Sequence, residues 1–215
     1  MQEAIAQQPL IHSIPVGMFQ ANCYLCICPR TREAALIDPG AEPEAILEMV
    51  RQASATVRYL LLTHGHLDHI GAVDAIHEHY PVPLAIHEAD IPYLTADQSI
   101  PGLIAFTPVR TPPALILQDG AEMSFGDIRL RVLHTPGHTP GGICFIAGQS
   151  AVFTGDTLFY RGIGRTDLPG GNTAQLLASI RERLYTLPPQ MRVYPGHGPT
   201  TTIGDEQRLN PFVRI

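Results

Sequence analysis

The sequence predicts an α/β fold in which two β-sheets pack face to face and helices cover their outer faces. Short apolar runs bounded by glycine and proline occur in both halves of the chain, and such runs are typical of strands. Each half also follows the same order, from a β-meander to a helix and then to a further strand. The length of 215 residues fits one domain, 1–215.

The first half is predicted to begin as a meander of three short strands. Pro43 then opens an amphipathic helix that runs to about Ala53, because proline suits the first helical turn. A run rich in branched residues follows and leads directly into Thr63 and His64, which predicts a strand buried on both faces. The predicted elements are strands over 11–16, 23–28, 34–37, 57–62 and 83–87, and helices over 43–53, 71–79 and 88–96.

The second half starts with an irregular segment. Residues 97–113 contain four prolines and few periodic positions, which indicates a surface loop that borders a site. Strand signals return at Leu115. The predicted elements are strands over 128–133, 142–146, 150–154 and 192–194, and a helix from about residue 173 to residue 187.

Composition excludes several classes of partner. The net charge is -6, and the 14 lysines and arginines are scattered, which leaves no basic patch for nucleic acid or an anionic membrane. No segment reaches the roughly 18 apolar residues of a membrane span, and the first ten residues do not look like a secretion signal, so we expect a cytoplasmic protein. We interpret Cys23, Cys26 and Cys28 as buried strand residues rather than a thiolate metal site.

One short motif carries most of the chemical information. The sequence THGHLDH, residues 63–69, places four potential metal ligands between a buried strand and a helix: His64, His66, Asp68 and His69. Imidazole nitrogen and carboxylate oxygen are donors that Zn²⁺, Fe²⁺ and Mn²⁺ accept. The first two ligands can point to one side of the loop and the last two to a neighbouring position, which suits two adjacent metals.

Three more candidate ligands follow predicted strands. They are His138, Asp156 and His197, and each has a glycine beside it that lets the backbone approach closely. A single tetrahedral ion could not use seven ligands, so we predict two divalent metal ions per chain, with zinc preferred over iron or manganese. Two such ions about 3.5 to 4 Å apart can share a water and convert it to a bridging hydroxide, which would attack the substrate. Asp68 is also predicted to be the catalytic residue, through its carboxylate.

At this point the chain resembles the metallo-β-lactamase fold superfamily, and within it the glyoxalase II (hydroxyacylglutathione hydrolase) branch. The resemblance rests on THGHLDH, HTPGHTPG, FTGDTLF, GIGRTDLPGG and YPGHGPTT, and it spans nearly the whole chain. It implies an αββα four-layer sandwich of two mixed β-sheets with the site at one edge.

The resemblance also implies an assignment of the ligands. One metal would take His64, His66 and His138, the other would take Asp68, His69 and His197, and Asp156 would bridge them. Asp38 would support a ligand by a hydrogen bond, and His134 is a further candidate for such a supporting contact.

The implied substrate is a small anionic acyl thioester such as S-lactoylglutathione. Two divalent ions and two aspartates leave the site positive, which favours an anion and polarises a carbonyl. Arg165 matches the basic residue that holds glutathione in the family, but Asp167 stands where the family has tyrosine, and the family's C-terminal helical domain is not found in the 215 residues. An ion pair between Arg165 and Asp167 is an equally good interpretation.

Two alternatives remain open. A persulfide dioxygenase is a related enzyme that also carries GRTD and binds one iron, here through His64, His138 and Asp156. The presence of His69 and His197 favours the binuclear hydrolase over it. The second alternative, from a different class, is a metal-binding or redox-partner protein without catalytic activity.

Overall fold

The computed structural model describes residues 8–103 and 105–214, and its core is a pair of six-stranded mixed sheets. The first sheet has the order β1-β2-β3-β4-β5-β6, antiparallel up to β3 and parallel from there. Its strands are β1 (Leu10–Val16), β2 (Ala21–Ile27), β3 (Glu33–Ile37), β4 (Thr56–Leu61), β5 (Leu84–His87) and β6 (Leu115–Leu117).

The second sheet has the order β14-β13-β10-β9-β8-β7, and only its β10–β13 pair is parallel. A two-stranded hairpin, β11–β12, stands apart from it. The strands are β7 (Glu122–Phe125), β8 (Ile128–His134), β9 (Ile143–Ala147), β10 (Ala151–Gly155), β11 (Leu158–Phe159), β12 (Gly162–Ile163), β13 (Arg192–Pro195) and β14 (Thr201–Thr202).

Among the described residues, five α-helices accompany the sheets: α1 (Pro43–Gln52), α2 (Leu67–Ile70), α3 (Val73–His79), α4 (Thr173–Ser179) and α5 (Ile203–Leu209). A 3-10 helix spans Glu88–Leu94. These helices lie on the outer faces, because the apolar stripe of a helix must be buried against a sheet. Ile46 of α1 and Ile76 of α3 pack on the first sheet, and Leu176 of α4 and Ile203 of α5 pack on the second.

The layer between the sheets is a separate apolar core. Tyr24 and Ile37 of the first sheet pack there against Phe145 and Phe153 of the second. Cys26 and Cys28 belong to the same layer, and all four cysteines are buried and unbonded. Cys23 and Cys26 lie in β2 as predicted, whereas Cys28 directly follows the end of that strand. Together with the outer helices, the two sheets confirm the predicted αββα sandwich of mixed sheets.

Some predicted elements differ in detail. The helix predicted from about residue 173 to residue 187 is present but ends at Leu184, and only Thr173–Ser179 is α-helical, because the chain continues as a π-helix over Ile180–Leu184. The Tyr185 N–H accordingly donates to Ile180 O, five residues back. Strands β7, β11, β12 and β14 and helix α5 were not predicted. No helix in the described part of the chain combines the length and the apolar character needed to cross a membrane.

The two sheets are joined at one edge. Ala21 of β2 forms an isolated antiparallel bridge with His197, just beyond β13. The Asn22 N–H donates to Gly196 O at 2.7 Å, and the Tyr24 hydroxyl donates to Pro195 O at 2.7 Å. The edge where these contacts meet is also where the candidate ligands converge.

Candidate metal centre

The loop after β4 carries the four clustered ligands of the sequence motif. His64 and His66 lie in the irregular segment between β4 and α2, whereas Asp68 and His69 lie on α2 itself. His64 and His69 are buried, with 2% and 0% of their surface exposed. The predicted division of the motif into two pairs is therefore present in the fold.

The three distant ligands reach the same place from the second sheet. His138 follows β8, Asp156 follows β10, and His197 follows β13. Gly196 permits this approach, because a Cβ atom there would lie 2.1 Å from Asp156 Oδ1 and 2.9 Å from His69 Cε1. A glycine beside a ligand is thus a requirement of packing at this position.

Three groups of three potential ligands occur among the described residues: two contain only predicted ligands, and the third combines Asp38 with His64 and His69. In each group the candidate ligand atoms lie within 4.8 Å of one another. The first triad is His64, His66 and His138, and the second triad is Asp68, His69 and His197. The structure therefore brings together the residues that the sequence predicted for each of the two metals.

Asp156 lies between the two triads. Its Oδ2 atom is 3.5 Å from His138 Nε2 of the first triad and 3.6 Å from His197 Nε2 of the second. Its Oδ1 atom is 3.4 Å from His69 Nε2. A carboxylate in this place can reach both metal positions, as the family resemblance implies.

The imidazole rings are held so that one nitrogen of each faces the cluster. His138 Nδ1 lies 2.7 Å from Arg165 O, and His197 Nδ1 lies 3.0 Å from Phe19 O. A carbonyl oxygen only accepts, so these nitrogens carry the proton and donate it. The other nitrogen of each neutral ring then offers its lone pair to a metal, which is the usual arrangement of histidine ligands.

Asp38 sets the orientation of two further histidines. Its Oδ2 atom accepts from His69 Nδ1 at 3.0 Å and from the Thr63 hydroxyl at 2.6 Å, and its Oδ1 atom accepts from the Thr63 N–H at 2.8 Å. Because the Thr63 hydroxyl gives its proton to Asp38, His64 Nδ1 must donate to Thr63 Oγ1, which lies at 3.1 Å. Both rings therefore present Nε2 to the cluster.

Three buried polar atoms in the cluster have no hydrogen-bond partner: His64 Nε2, His69 Nε2 and Asp156 Oδ1. Buried polar atoms without partners are rare in folded proteins and each calls for an explanation. All three belong to candidate ligands and face the space between the triads. A nitrogen- and oxygen-coordinated pair of divalent ions fits these donors, whereas the oxygen-rich sites of Ca²⁺ and Mg²⁺ do not resemble them.

The electrostatics of the cluster also favour positive charge. Burial and the neighbouring imidazoles hold the pKa of His64 well below its usual value, and burial with His138 lowers the pKa of His66 to about 4. Burial opposes protonation of His69 as well, but the carboxylates of Asp156 and Asp68 raise its pKa well above the usual value. Two neutral histidines therefore lie beside a region where the aspartates attract a cation.

The structure places the candidate substrate residue at the rim of the cluster. The guanidinium of Arg165 forms two hydrogen bonds of 2.8 Å with the carboxylate of Asp167, and both side chains are mostly exposed. The ion-pair interpretation of these residues is the one that the geometry supports. The main chain of Arg165, rather than its side chain, contacts a candidate ligand, through the hydrogen bond from His138.

His134 lies beside the turn that follows His138. Its Nε2 atom is 3.0 Å from Pro140 O, in the turn that follows His138. Its ring stacks on that of His87, with centroids 4.2 Å apart and an interplanar angle of 8°. It therefore contacts the turn that carries a candidate ligand rather than the ligand itself.

A cavity of about 330 Å³ opens beside the second triad. Asp68 lies at one side of it, and Glu42 contributes a second carboxylate. Most of the remaining wall is apolar, formed by the turn between β1 and β2 and by the loop after the 3-10 helix. The apolar side chains are Val16, Met18, Phe19, Ala41, Leu67 and Phe106.

Sequence reasoning missed three residues that contact the ligand loop. Thr63 bonds to both Asp38 and His64, and Asp90 and Gln98 bond to the backbone of residues 65–67. Thr63 is the first residue of the motif THGHLDH, so its position beside His64 was a usable signal. Asp90 and Gln98 gave none, because their partners lie 25 or more residues away in the chain.

Comparisons with known proteins agree with this arrangement. A family profile described as "Metallo-beta-lactamase superfamily" matches residues 16–197. Hydroxyacylglutathione hydrolase GloC of Haemophilus influenzae is 41% identical over 211 residues, which are 94% of this chain and 97% of that protein. The probable metallo-hydrolase YqgX of Bacillus subtilis is 42% identical over 205 residues, or 93% of this chain and 95% of that protein.

Solved structures show the same similarity. The B3 metallo-beta-lactamase BLEG-1 has a TM-score of 0.89 and 36% identity, covering 95% of this chain and 99% of its own. TTHA1623 in a di-iron-bound form has a TM-score of 0.84 and 40% identity, covering 94% and 100%. ETHE1 from Myxococcus xanthus has a TM-score of 0.78 and 33% identity, covering 94% and 83%. With its fold, its two triads and these relatives, the chain belongs to the metallo-beta-lactamase superfamily.

Proposed function

We propose that this chain is a hydrolase that binds two divalent metal ions and cleaves an acyl thioester such as S-lactoylglutathione. The observation that carries the proposal is the position of Asp156, whose carboxylate lies within 3.6 Å of histidines from both triads. A site for a single metal would leave several of the seven candidate ligands without a metal to bind.

The residues divide between metal binding and support. His64, His66 and His138 would hold one ion, Asp68, His69 and His197 the other, and Asp156 both. When bound, the two ions would supply Lewis acidity, activating water and polarising the thioester carbonyl. Asp38, Thr63 and the carbonyls of Phe19 and Arg165 keep the histidine lone pairs directed at the cluster. Zinc is the proposed metal, and the di-iron form of TTHA1623 makes iron the alternative.

A thioester suits this site because it needs little proton transfer from the protein. Thiolates are good leaving groups, so a strong general acid is not required. Two divalent ions and two aspartates leave a positive centre that would attract an anionic substrate. The similarity to hydroxyacylglutathione hydrolase GloC supports glutathione as the thiol part of the substrate. The match covers 97% of GloC, so the two proteins are of similar size.

The cavity beside Asp68 is the proposed place for the acyl group. Its apolar wall and the carboxylate of Glu42 would not favour the carboxylates of glutathione. The acyl part of the substrate would therefore lie toward Met18 and Phe106, and the thiol part toward the opposite side of the two triads.

A persulfide dioxygenase is the alternative, and the GRTD sequence at residues 164–167, which that related enzyme also carries, favours it. It would need only His64, His138 and Asp156. Asp68, His69 and His197 would then have no role in metal binding, although His69 and its hydrogen bond to Asp38 are fully buried.

Purified protein would distinguish these functions. Thiol release from S-lactoylglutathione, oxygen uptake with glutathione persulfide, and metal content should be measured on one preparation, alongside Asp156→Asn. Asp127→Asn is the matched control, because Asp127 pairs with Arg30 on the surface away from the cluster.

We expect two metals per chain and thioester cleavage in the wild type and in Asp127→Asn. Asp156→Asn should lose activity by at least about 100-fold, as is common when an interaction with developing charge is removed. Oxygen uptake without thiol release, with one iron per chain, would replace the proposal by the dioxygenase.

A further inference from the structure

The segment from the 3-10 helix to Gln98 packs against the loop that carries His64 and His66. Asp90, in the middle of this 3-10 helix, is buried with 0% of its surface exposed. Neither Asp90 nor Gln98 belongs to a triad. Their side chains nevertheless bond to the backbone between and beside the candidate ligands.

The carboxylate of Asp90 links the two loops that supply the first triad. Its Oδ2 atom accepts from the Gly65 N–H at 3.0 Å and from the Thr139 hydroxyl at 2.7 Å, and its Oδ1 atom accepts from the Gly141 N–H at 2.6 Å. Gly65 lies between His64 and His66, and Thr139 follows His138. One side chain thus fixes both ligand loops at a common point.

Gln98 holds the same loop from the other side. Its Oε1 atom accepts from the Leu67 N–H at 3.0 Å, and its Nε2 group donates to Gly65 O at 2.9 Å and to Tyr93 O at 2.8 Å. Together Asp90 and Gln98 bond to the N–H and the C=O of Gly65 and to the N–H of Leu67. The backbone on both sides of His66 is thereby constrained.

The packing leaves these loops little room to move. A Cβ atom on Gly65 would lie 2.5 Å from Tyr93 Cβ, and one on Gly141 would lie 2.6 Å from Asp90 Oδ1. Within this frame His66 Nδ1 and His138 Nε2 face each other at 2.8 Å. A shift of either loop would change that separation.

We propose that Asp90 and Gln98 are positioning residues that set the metal affinity of the first triad, and that Asp90, which contacts only the loops of that triad, leaves the affinity of the second triad unchanged. The inference rests on the metal centre of the proposed function, but not on its thioester substrate. Asp90 accepts at both of its oxygens, because the backbone N–H groups of Gly65 and Gly141 that face them can only donate. An amide in its place would direct an N–H group at one of these donors.

The test compares Asp90→Asn with Asp74→Asn. Asp74 is a matched control, because its carboxylate also links two segments: it accepts from the Arg110 N–H at 3.0 Å and the Thr111 N–H at 2.9 Å, away from both triads. The readout is the dissociation constant of each bound Zn²⁺, measured by competition with a chelator. Melting temperatures of the metal-free proteins are measured in parallel.

Asp90→Asn should weaken one of the two zinc sites by about 10- to 100-fold, the usual effect of losing a group that supports a ligand. Asp74→Asn should leave both sites unchanged, even if its metal-free melting temperature falls as far. Gln98→Leu should weaken the same site as Asp90→Asn and serves as the second variant if Asp90→Asn does not fold.

Two backgrounds identify the affected site. His197→Ala leaves the first triad intact, and in that background Asp90→Asn should lower the affinity for the remaining zinc ion. His138→Ala leaves the second triad intact, and there Asp90→Asn should have no effect. Equal affinities in Asp90→Asn and Asp74→Asn, or weakening only in the His138→Ala background, would overturn the inference. Hydrolysis is not a readout, so a chain that binds zinc but cleaves no thioester tests the inference equally well.

Discussion

Asp38 Oδ2 lies 3.0 Å from His69 Nδ1, and this contact directs the opposite nitrogen of His69 toward Asp156 Oδ1, 3.4 Å away. Asp38 adopts a left-handed backbone conformation with φ 53°, which is uncommon for residues other than glycine. Backbone conformations of this kind cluster at functional sites, where the surrounding structure maintains them. The pair therefore joins the end of β3 to the second triad.

Replacing Asp38 with Asn should weaken metal binding mainly at the second triad, because Asp38 contacts His69 directly and reaches His64 of the first triad only through Thr63. The amide keeps one acceptor but cannot accept from His69 and from both Thr63 donors, so the imidazole loses its fixed orientation. We expect an affinity about 10- to 100-fold lower for one metal and a loss of about 1–3 kcal/mol in the free energy of unfolding. Chelator competition and denaturant titration measure these two effects, with Asp127→Asn as control. Unchanged zinc affinity would show that Asp38 serves stability alone.

Replacing Gly196 with Ala should disrupt the centre by steric overlap. The added Cβ would lie 2.1 Å from Asp156 Oδ1, so the carboxylate or the backbone must move. Gly162→Ala is the control, since its Cβ would lie 3.5 Å or more from any neighbour. We expect fewer than two metals per chain in Gly196→Ala and two in Gly162→Ala, measured by elemental analysis. Full metal content in Gly196→Ala would contradict the position of Asp156.

Replacing Arg165 with Ala should have little effect on either stability or substrate binding. Its ion pair with Asp167 is exposed, and such pairs contribute about 0–1 kcal/mol. The backbone carbonyl that orients His138 remains in the variant. We expect KM for S-lactoylglutathione to change less than about threefold, equivalent to about 0.6 kcal/mol. A much larger rise in KM would show that the guanidinium leaves Asp167 to contact the substrate.

Replacing Phe106 with Ala should reduce the preference for long apolar acyl groups. Phe106 lines the cavity beside Asp68, and its removal takes apolar surface away from the proposed acyl site. At about 25 cal/mol per Å² of lost contact, we expect KM to rise roughly tenfold for a longer acyl chain and less for lactoyl. Leu103→Ala is the control, because Leu103 is exposed in the same loop and does not line this cavity. Equal changes for both acyl groups would place the acyl chain elsewhere.

Removing the metals should lower the melting temperature. Because the unfolded chain has no preformed triad, ligand binding stabilises only the folded state, by about 2.7 kcal/mol per site at a metal concentration of 100 times Kd. For a chain of this length that corresponds to roughly 5–10 °C per site, or roughly 10–20 °C for both metals. Thermal melts with and without chelator measure the shift, and Asp156→Asn should show a smaller one. Identical melts of the wild type would argue against tightly bound metals.

The candidate metal ligands could be predicted because the residue types that bind metals are close together in the sequence or stand in similar local contexts. Four of them occur within six residues, and His138, Asp156 and His197 each follow a strand and neighbour a glycine. The layers were predictable for a similar reason, since apolar periodicity reports burial directly. Whether Arg165 pairs with Asp167 could not be decided, because spacing in the sequence does not fix the direction of exposed side chains.

The elements that escaped prediction are short or depend on distant partners. Strands β11, β12 and β14 have two residues each, too few for a periodic pattern. Helix α5 has only seven residues, and its buried Glu206 accepts from the Arg161 N–H, 45 residues away. The role of Asp90 depends on Thr139 and Gly141, 49 and 51 residues away. Such contacts exist only once the chain has folded.

The division of each triad between the two sheets affects how the chain can fold. Each triad takes two members from the segment 64–69, which follows β4 in the first sheet. Its third member follows a strand of the second sheet. The strands that close this edge are far apart in the chain, with Asn22 and Gly198 bonded across 176 residues. Contacts of such long range form late in folding, because the entropy of closing the loop must be overcome first. Neither half alone contains a complete triad, so bound metals would act as cross-links that resist separation of the two sheets.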